Sequence, residues 1–498
     1  MIKRLFKKFI SIWRTPTQLG QKAVRSGAIV FFEKFIIKGM AFVRTVIIAR
    51  LLLPGDIGLF GLAALAVSVN GVFFQPGFQQ ALIQEQGDVR KHMDSAWTAN
   101  LILNVFLAML LFFVTAPLSG WFFHNAQVVP LARVLALSML IIGFNNIGIT
   151  LIQKELRYNR QFVINIIGYG TQWTLTVVFA LLFRNVWALV AGAIVGNLIF
   201  VILSYLFSEY RPHFNFDFSS ARHLFRFGKW VGIAGILSFF ISQGDNLTVG
   251  RMLNAQTLAF YLTAYSLGTL PATEIVGVIA GILFPLYANL QDDLARLKRA
   301  FVRIARLAFA ISIPASFGLA SLASESVRFV YGTRWLPMVP ILYVILLYGL
   351  FKGFELITDP LFRGIGKPHV STGVMAAQAA VMFVLIVPFI RWWGPVGAGI
   401  AVLAGFLVAQ AIYIHQLRRT IPIGMKTLVE IAGLPMIAAA VMAGLILFAK
   451  IAVPVNTKLL LGAYIVSGVI VYALVLFVLD AIGGSHMRRT VLWVRQNI

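Results

Sequence analysis

Residues 27–49 read GAIVFFEKFIIKGMAFVRTVIIA, an apolar run long enough for a helix to cross the roughly 30 Å hydrocarbon core of a bilayer. The whole chain shares this character, since 59% of its 498 residues are hydrophobic and only 12% are charged. Soluble domains are about 45–50% apolar and about 25% charged. The composition therefore excludes a soluble enzyme and indicates a membrane protein.

Further apolar runs of the same kind predict an all-α polytopic membrane protein with about fourteen transmembrane helices. The runs are too long and too uniformly apolar for the alternating strands of an outer-membrane barrel. They lie near 27–49, 57–82, 96–118, 130–152, 162–183, 187–207, 230–250, 257–287, 301–322, 338–360, 372–390, 396–414, 428–449 and 459–479.

The basic residues predict how these helices are oriented. The formal net charge is +25, and 29 of the 42 Lys and Arg residues fall in the termini and alternate loops, if both termini are placed in the cytoplasm. Membrane proteins concentrate Lys and Arg in cytoplasmic loops. The excess therefore orients the chain with both termini cytoplasmic, and binding to nucleic acid is not predicted.

Several kinds of chemistry are excluded by missing residues. The sequence contains no Cys, and its 7 His have no spacing typical of a metal site. It also has no Gly-rich phosphate loop of the ATPase type. We therefore expect no metal, no cofactor and no ATP hydrolysis, and the chain is not predicted to be an enzyme.

Two similar phrases, Ala49-Arg50-Leu51-Leu52 and Gly250-Arg251-Met252-Leu253, recur at an offset of 201 residues. Parallel repeats are common in transporters. We predict two pseudo-symmetric six-helix bundles around a central cavity, plus two extra C-terminal helices. The predicted divisions are a basic amphipathic N-terminal segment (1–26), an N-terminal bundle (27–208), a cytoplasmic linker (209–229), a C-terminal bundle (230–417), two additional helices (428–479) and a cytoplasmic tail (480–498).

Charged residues within the first predicted helix are candidates for substrate binding. A charge at mid-bilayer costs about 2.5–3.5 kcal/mol or more, so such residues face a wet cavity or a partner. Lys34, Lys38 and Arg44 are predicted to bind substrate, and Glu33 to act in gating or ion coupling. The alternative for Lys34 is an ion pair with Glu33 or snorkelling to the inner interface.

A second group of charges lies in the later helices. Lys352, Glu355 and Asp359 share one helical face, and Lys352 is predicted to contact substrate unless it only pairs with Glu355. Glu355, Asp359 and Glu274, which follows Pro271, are predicted to act in gating or ion coupling; the alternative for Asp359 is a solvated interface residue. Asp245 joins this group because the repeat places it opposite Arg44, where the two form either a gate or a static pair.

Two pairs of glycines have the spacing that favours close packing of membrane helices. They are Gly192 with Gly196 and Gly277 with Gly281. This spacing predicts tight helix contacts at both pairs rather than a binding site.

The segment Ala49–Phe60, ARLLLPGDIGLF, resembles the first helix junction of bacterial polysaccharide flippases. The resemblance covers roughly residues 25–420 and is specific only as a set of phrases. The other phrases are Gln243–Asn246 (QGDN), Gly250-Arg251, Tyr261–Tyr265 (YLTAY), Phe284-Pro285, Asp292-Asp293 and Gly332–Pro337 (GTRWLP).

This family is the polysaccharide transporter branch of the multidrug/oligosaccharidyl-lipid/polysaccharide exporter superfamily, which also contains the lipid II flippases. The resemblance implies that the chain carries undecaprenyl-diphosphate-linked oligosaccharides across the bacterial cytoplasmic membrane. It also implies a groove for the polyprenyl tail at 428–479. The lipid II flippases carry an Arg-Asp pair in the first helix, and this sequence has Arg44-Thr45 instead.

The resemblance implies alternating access, with export for a surface or extracellular polysaccharide. The expected partners are the lipid-linked oligosaccharide, membrane lipids, and polymerase and export proteins. Energy is expected from the membrane potential or from H⁺ or Na⁺ coupling. Two alternatives stay open, a multidrug cation antiporter of the same superfamily and a membrane glycan polymerase or ligase.

Overall fold

The structure is a computed structural model that describes residues 19–73, 90–154, 158–215 and 238–482. These residues form helices and contain no strand, which confirms the predicted all-α membrane fold. The helices before residue 216 are α1 (Leu19–Leu51), α2 (Pro54–Phe73), α3 (Arg90–Leu110), α4 (Ala116–Phe122), α5 (Val128–Gly143), α6 (Ile149–Lys154), α7 (Tyr158–Phe183) and α8 (Trp187–Phe207).

The remaining helices follow from residue 238 onward. They are α9 (238–252), α10 (Ala255–Leu270), α11 (Gly277–Asn289), α12 (Leu294–Ser321), α13 (Ala323–Val330), α14 (Val339–Gly364), α15 (Pro368–Thr420), α16 (Met425–Ala452) and α17 (Lys458–Ile482). A π-helical turn, Leu111–Thr115, joins α3 to α4, and a second one, Pro271–Val276, joins α10 to α11.

The chain divides into two compact units, Met1–Gln243 (unit 1) and Gly244–Ile498 (unit 2), and the division falls within α9. The linker predicted at 209–229 lies outside the described residues from 216 onward, as do residues 1–18 and 483–498 of the predicted terminal segments. Among the described residues, nine helices are long and apolar enough to cross a membrane. The predicted number of fourteen crossings remains a prediction.

Helix α15 shows why counting helices and counting crossings differ. Its 53 residues are interrupted at Gly394, whose φ of 57° is accessible to glycine at little cost. A Cβ at Gly397 would meet the Phe389 carbonyl, and one at Gly405 would meet the Gln378 carbonyl. These contacts show that α15 folds back on itself as a helical hairpin, in agreement with the two runs predicted at 372–390 and 396–414.

In unit 1, helix α5 lies against α2, α3 and α8, while α7 packs on both α1 and α8. The α7–α8 contact depends on small residues, because a Cβ at Gly192 would lie 2.2 Å from the Thr176 hydroxyl and one at Gly196 would lie 2.3 Å from the Gln172 side chain. The prediction for this glycine pair is confirmed.

The prediction for the second glycine pair is wrong. Within the part of the chain that the structure describes, a Cβ at Gly277 or Gly281 would meet nothing within 4 Å. The two glycines follow the π-helical turn that begins at Pro271, and that turn changes which helix face carries them. The spacing alone therefore did not indicate whether another helix lies opposite.

In unit 2, helix α14 is central and contacts α10, α11, α12 and α15.

The two C-terminal helices, α16 and α17, attach to α12. The Tyr472 hydroxyl of α17 donates to the Ala310 carbonyl at 2.8 Å, and the Arg306 guanidinium of α12 lies in the electrostatic field of Glu430 and Asp480. Asp480 is buried.

After α8 the chain runs extended over 208–215 and is held against unit 1. Asp94 accepts hydrogen bonds from the Tyr210 hydroxyl and from the His213 amide, and the buried Asn146 donates to the Tyr210 carbonyl at 2.8 Å. Burial and the hydrogen bond to Asp94 raise the pKa of Tyr210 above its usual range, so the phenol stays a donor at neutral pH. This segment, at the start of the predicted linker, is therefore fixed to unit 1.

The glycine contacts predict that the same substitution has opposite effects at two sites. Gly192→Ala should lower the free energy of unfolding by about 1–3 kcal/mol, since the whole Thr176 side chain must move. Gly281→Ala is the matched control and should be neutral or stabilising by about 0.5–1 kcal/mol, because alanine favours a helix. Thermal unfolding of the purified proteins in detergent measures both. Equal effects of the two substitutions would contradict the packing described here.

Candidate functional site

In helix α1, Glu33 and its neighbour Lys34 do not form an ion pair with each other among the described residues. The Glu33 side chain is buried and accepts a hydrogen bond from the Asn165 amide of α7 at 2.6 Å. Lys34 and Lys38 are exposed on the surface of the described chain. Among the described residues, Glu33 is thus held by a neutral side-chain amide and not by a neighbouring base.

Arg44 is the third predicted base of α1, and its side chain is half-buried. Its Nε atom is buried and has no hydrogen-bond partner among the described residues. A guanidinium presents five N–H donors in a planar fork that matches the oxygens of phosphate and carboxylate groups. An unused buried donor of this kind is suited to an anion.

In unit 2 the predicted charges lie on one face of α14. This α14 polar face consists of Tyr348, Lys352, Glu355 and Asp359. The Lys352 ammonium donates to Glu355 Oε2 at 2.8 Å and lies 5.6 Å from the Phe406 ring centroid. The ion pair weighed as the alternative for Lys352 is thus formed, and both side chains remain partly accessible.

Asp359 is not simply a solvated residue at the end of its helix. It accepts an ion-paired hydrogen bond from Arg363 and a second one from the Tyr413 hydroxyl of α15 at 3.2 Å. The carboxylate thereby ties α14 to α15 at the end of the polar face.

Asp245 lies in α9 with its carboxylate buried. It accepts one hydrogen bond from the Tyr261 hydroxyl of α10 at 2.9 Å and another from the backbone N–H of Asn246 at 2.8 Å. One turn farther along α10, the Tyr265 hydroxyl donates to the Tyr348 hydroxyl at 3.1 Å. A run of buried hydroxyls therefore leads from Asp245 toward the α14 polar face.

No functional role was predicted for the three tyrosines or for Asn165. Tyr348 and Asn165 carry no signal in the sequence. Tyr261 and Tyr265 appear there only within a resemblance phrase, and their spacing of four residues places them on one face of α10.

Two predicted features are not resolved by this geometry. The side chain of Glu274 lies outside the described residues, although its backbone belongs to the π-helical turn that begins at Pro271. Arg44 belongs to unit 1 and Asp245 to unit 2, so the predicted pair between them stays a prediction. Within the described residues no cluster of acids and histidines has the composition of a metal site.

Comparison with known proteins relates the chain to membrane transport proteins. A family model described as "Polysaccharide biosynthesis protein" matches residues 47–340. The lipopolysaccharide biosynthesis protein WzxC of Escherichia coli is 26% identical over 390 residues, which cover 76% of each chain. The succinoglycan biosynthesis transport protein ExoT of Rhizobium meliloti is 24% identical over 387 residues, 77% of this chain and 74% of its own.

Among solved structures, the lipid II flippase MurJ in an inward closed conformation matches with a TM-score of 0.73. The match covers 91% of this chain and 99% of that protein at 14% identity. At this identity the likeness shows the fold alone.

The buried hydroxyl of Tyr261 should stabilise unit 2 through Asp245. Tyr261→Phe is expected to lower the free energy of unfolding by about 1–3 kcal/mol, because a buried carboxylate loses a donor. Chemical denaturation of the purified protein measures the change. Tyr343→Phe, at a half-exposed position of α14, is the control and should have no effect. The assignment is wrong if Tyr261→Phe costs as much in an Asp245→Leu background as in the wild type.

Proposed function

We propose that this chain, which belongs to the polysaccharide biosynthesis protein family, moves undecaprenyl-diphosphate-linked oligosaccharides across the bacterial cytoplasmic membrane for export of a polysaccharide. The names of WzxC and ExoT and the fold shared with MurJ support a flippase rather than an enzyme. The sugar and the mechanism are the parts that go beyond these similarities.

One observation carries the proposal, the buried Nε atom of Arg44, which has no hydrogen-bond partner among the described residues. Arg44 lies in α1, a helix of membrane-spanning length that also carries Lys34 and Lys38, and the acid of that stretch, Glu33, accepts from the Asn165 side-chain amide. A charged group inside a membrane is expensive unless it meets water or a counter-charge. A diphosphate would supply an anion to the unused donor of Arg44.

The chemistry of such a substrate divides between its parts. Arg44 and Lys38 would replace the water that the diphosphate loses, since charge-assisted hydrogen bonds are the strongest available. Lys352 of unit 2 would also bind a phosphate oxygen, after leaving Glu355. Hydroxyls of the α14 polar face and its neighbours would donate to the sugars, while the polyprenyl tail stays in lipid beside 428–479.

The transport cycle we propose is alternating access, in which the binding residues open to each side of the membrane in turn. It requires no cofactor and no bond making. Glu33, Asp245, Glu274, Glu355 and Asp359 are the acids available for coupling to H⁺ or Na⁺. Partners would be the polymerase and export proteins that receive the translocated unit.

The proposed substrate predicts which bases matter for transport. Arg44→Gln and Lys352→Gln should each lower transport by about ten- to a hundredfold, the loss expected when a charge-assisted hydrogen bond of about 1.5–3 kcal/mol is removed. The assay is leaflet-resolved detection of lipid-linked repeat units in a deletion strain complemented with each variant. Arg391→Gln, at the exposed turn of α15, is the matched control and should transport normally.

Two results would contradict this function. One is normal outward display of lipid-linked units in the deletion strain. The other is equal transport by Arg44→Gln, Lys352→Gln and the wild type. Increased drug susceptibility with normal lipid-linked units would instead favour the cation antiporter.

The charge balance also predicts a response to the membrane potential. With the inside negative, about 2.3 kcal/mol per charge per 100 mV drives anions outward and returns an empty cationic site to the cytoplasmic side. Transport in proteoliposomes should rise several-fold when an inside-negative potassium diffusion potential is imposed. A rate that is the same at zero, negative and positive potential would contradict this coupling.

A further inference from the structure

The strongest unexplained polar group in unit 2 is the side chain of Gln410. This residue of α15 is 5% exposed, and neither its Nε2 nor its Oε1 atom has a hydrogen-bond partner among the described residues. Buried amides in proteins are nearly always hydrogen-bonded, so an amide with both ends unused calls for an explanation.

The position of Gln410 follows from the register of two helices. Phe406 of α15 lies under Lys352 of α14, with the ammonium 5.6 Å from the ring centroid, and Tyr413 of α15 donates to Asp359 of α14 at 3.2 Å. The two α14 positions are seven residues apart, and so are the two α15 positions. The helices therefore run in register over two turns.

Gln410 lies between these two contact points. It follows Phe406 by four residues and precedes Tyr413 by three, so all three share one face of α15. The corresponding stretch of α14 is the one that carries Glu355. The unused amide is thus at the level of the Lys352–Glu355 ion pair.

The ion pair creates a demand that this amide is equipped to meet. When Lys352 moves to a phosphate, the carboxylate of Glu355 is left partly buried without its cation, which is strongly unfavourable. Arg363 and Tyr413 do not supply the missing donor, because both already donate to Asp359, the other carboxylate on this face. A glutamine amide offers two N–H donors to a carboxylate and a carbonyl to an ammonium.

We propose that Gln410 is the reserve hydrogen-bond partner of the Lys352–Glu355 pair, holding Glu355 after Lys352 has transferred to the substrate. Gln410 is then a positioning residue, since it acts on the substrate only through Lys352. The assignment rests on the proposed function, because it is the diphosphate that draws Lys352 away.

The test measures binding and stability on the same purified full-length protein in nanodiscs, with undecaprenyl diphosphate as the probe. Gln410→Leu, which removes both polar ends at similar volume, should weaken binding about tenfold. The same variant should unfold at an equal or higher temperature, since an unsatisfied buried amide has been removed. Gln378→Leu, the same change at a partly buried position of α15, is the control and should leave binding unchanged.

A double-mutant cycle distinguishes the reserve role from general damage. In a Glu355→Gln background there is no carboxylate to hold, so Gln410→Leu should weaken binding by less than twofold. Gln410→Asn, which keeps the amide, should restore part of the lost affinity. Support requires this non-additivity together with a thermal stability equal to or higher than that of the wild type.

Other outcomes overturn the inference. Unchanged binding by Gln410→Leu overturns it while leaving the proposed function intact, provided that Lys352→Gln binds more weakly than the wild type. Equal losses in the wild-type and Glu355→Gln backgrounds, or a loss of stability parallel to the loss of affinity, do the same. Failure of the wild type to bind the probe overturns the proposed function and the inference together.

Discussion

A hydrocarbon interior offers no hydrogen bonds, so each polar group carried into it must find a partner in the protein or a substrate. In unit 2, several charged side chains of α9 and α14 meet this requirement internally. Lys352 pairs with Glu355, Asp359 with Arg363 and Tyr413, and Asp245 with Tyr261. Two of these contacts join helices, since Tyr261 links α10 to Asp245 of α9 and Tyr413 links α15 to Asp359 of α14.

Unit 1 meets the same requirement differently. Glu33 is satisfied by a neutral amide, and Arg44 retains a buried donor with no partner in the described chain. Arg44 of unit 1 thus offers an unused donor, whereas Lys352 of unit 2 must leave Glu355 before it can bind an anion.

Much of the fold was predictable because long apolar runs have few alternatives in a membrane. The runs at 372–390 and 396–414 predicted the two arms of α15, since Gly394-Pro395 separates them. Charged residues were likewise visible, because a lysine or glutamate in an apolar run is conspicuous. Their partners were not, since Asn165, Tyr261 and Gln410 are neutral residues that acquire a role only from what packs opposite. The failure at Gly277 and Gly281 has the same origin, because a spacing specifies a helix face but not its neighbour.

The hairpin of α15 has a consequence for the way this protein can be handled. Its two arms reverse at a single glycine, and the contact of Gly397 with Phe389 leaves no slack in the connection. An epitope tag, a protease site or a fused domain inserted at this reversal would have to separate the arms, and with them the register that aligns Phe406 and Tyr413 with α14. Topology mapping at this end of the helices is therefore better done by labelling single residues such as Trp392 and Trp393, whose side chains are exposed, than by insertion.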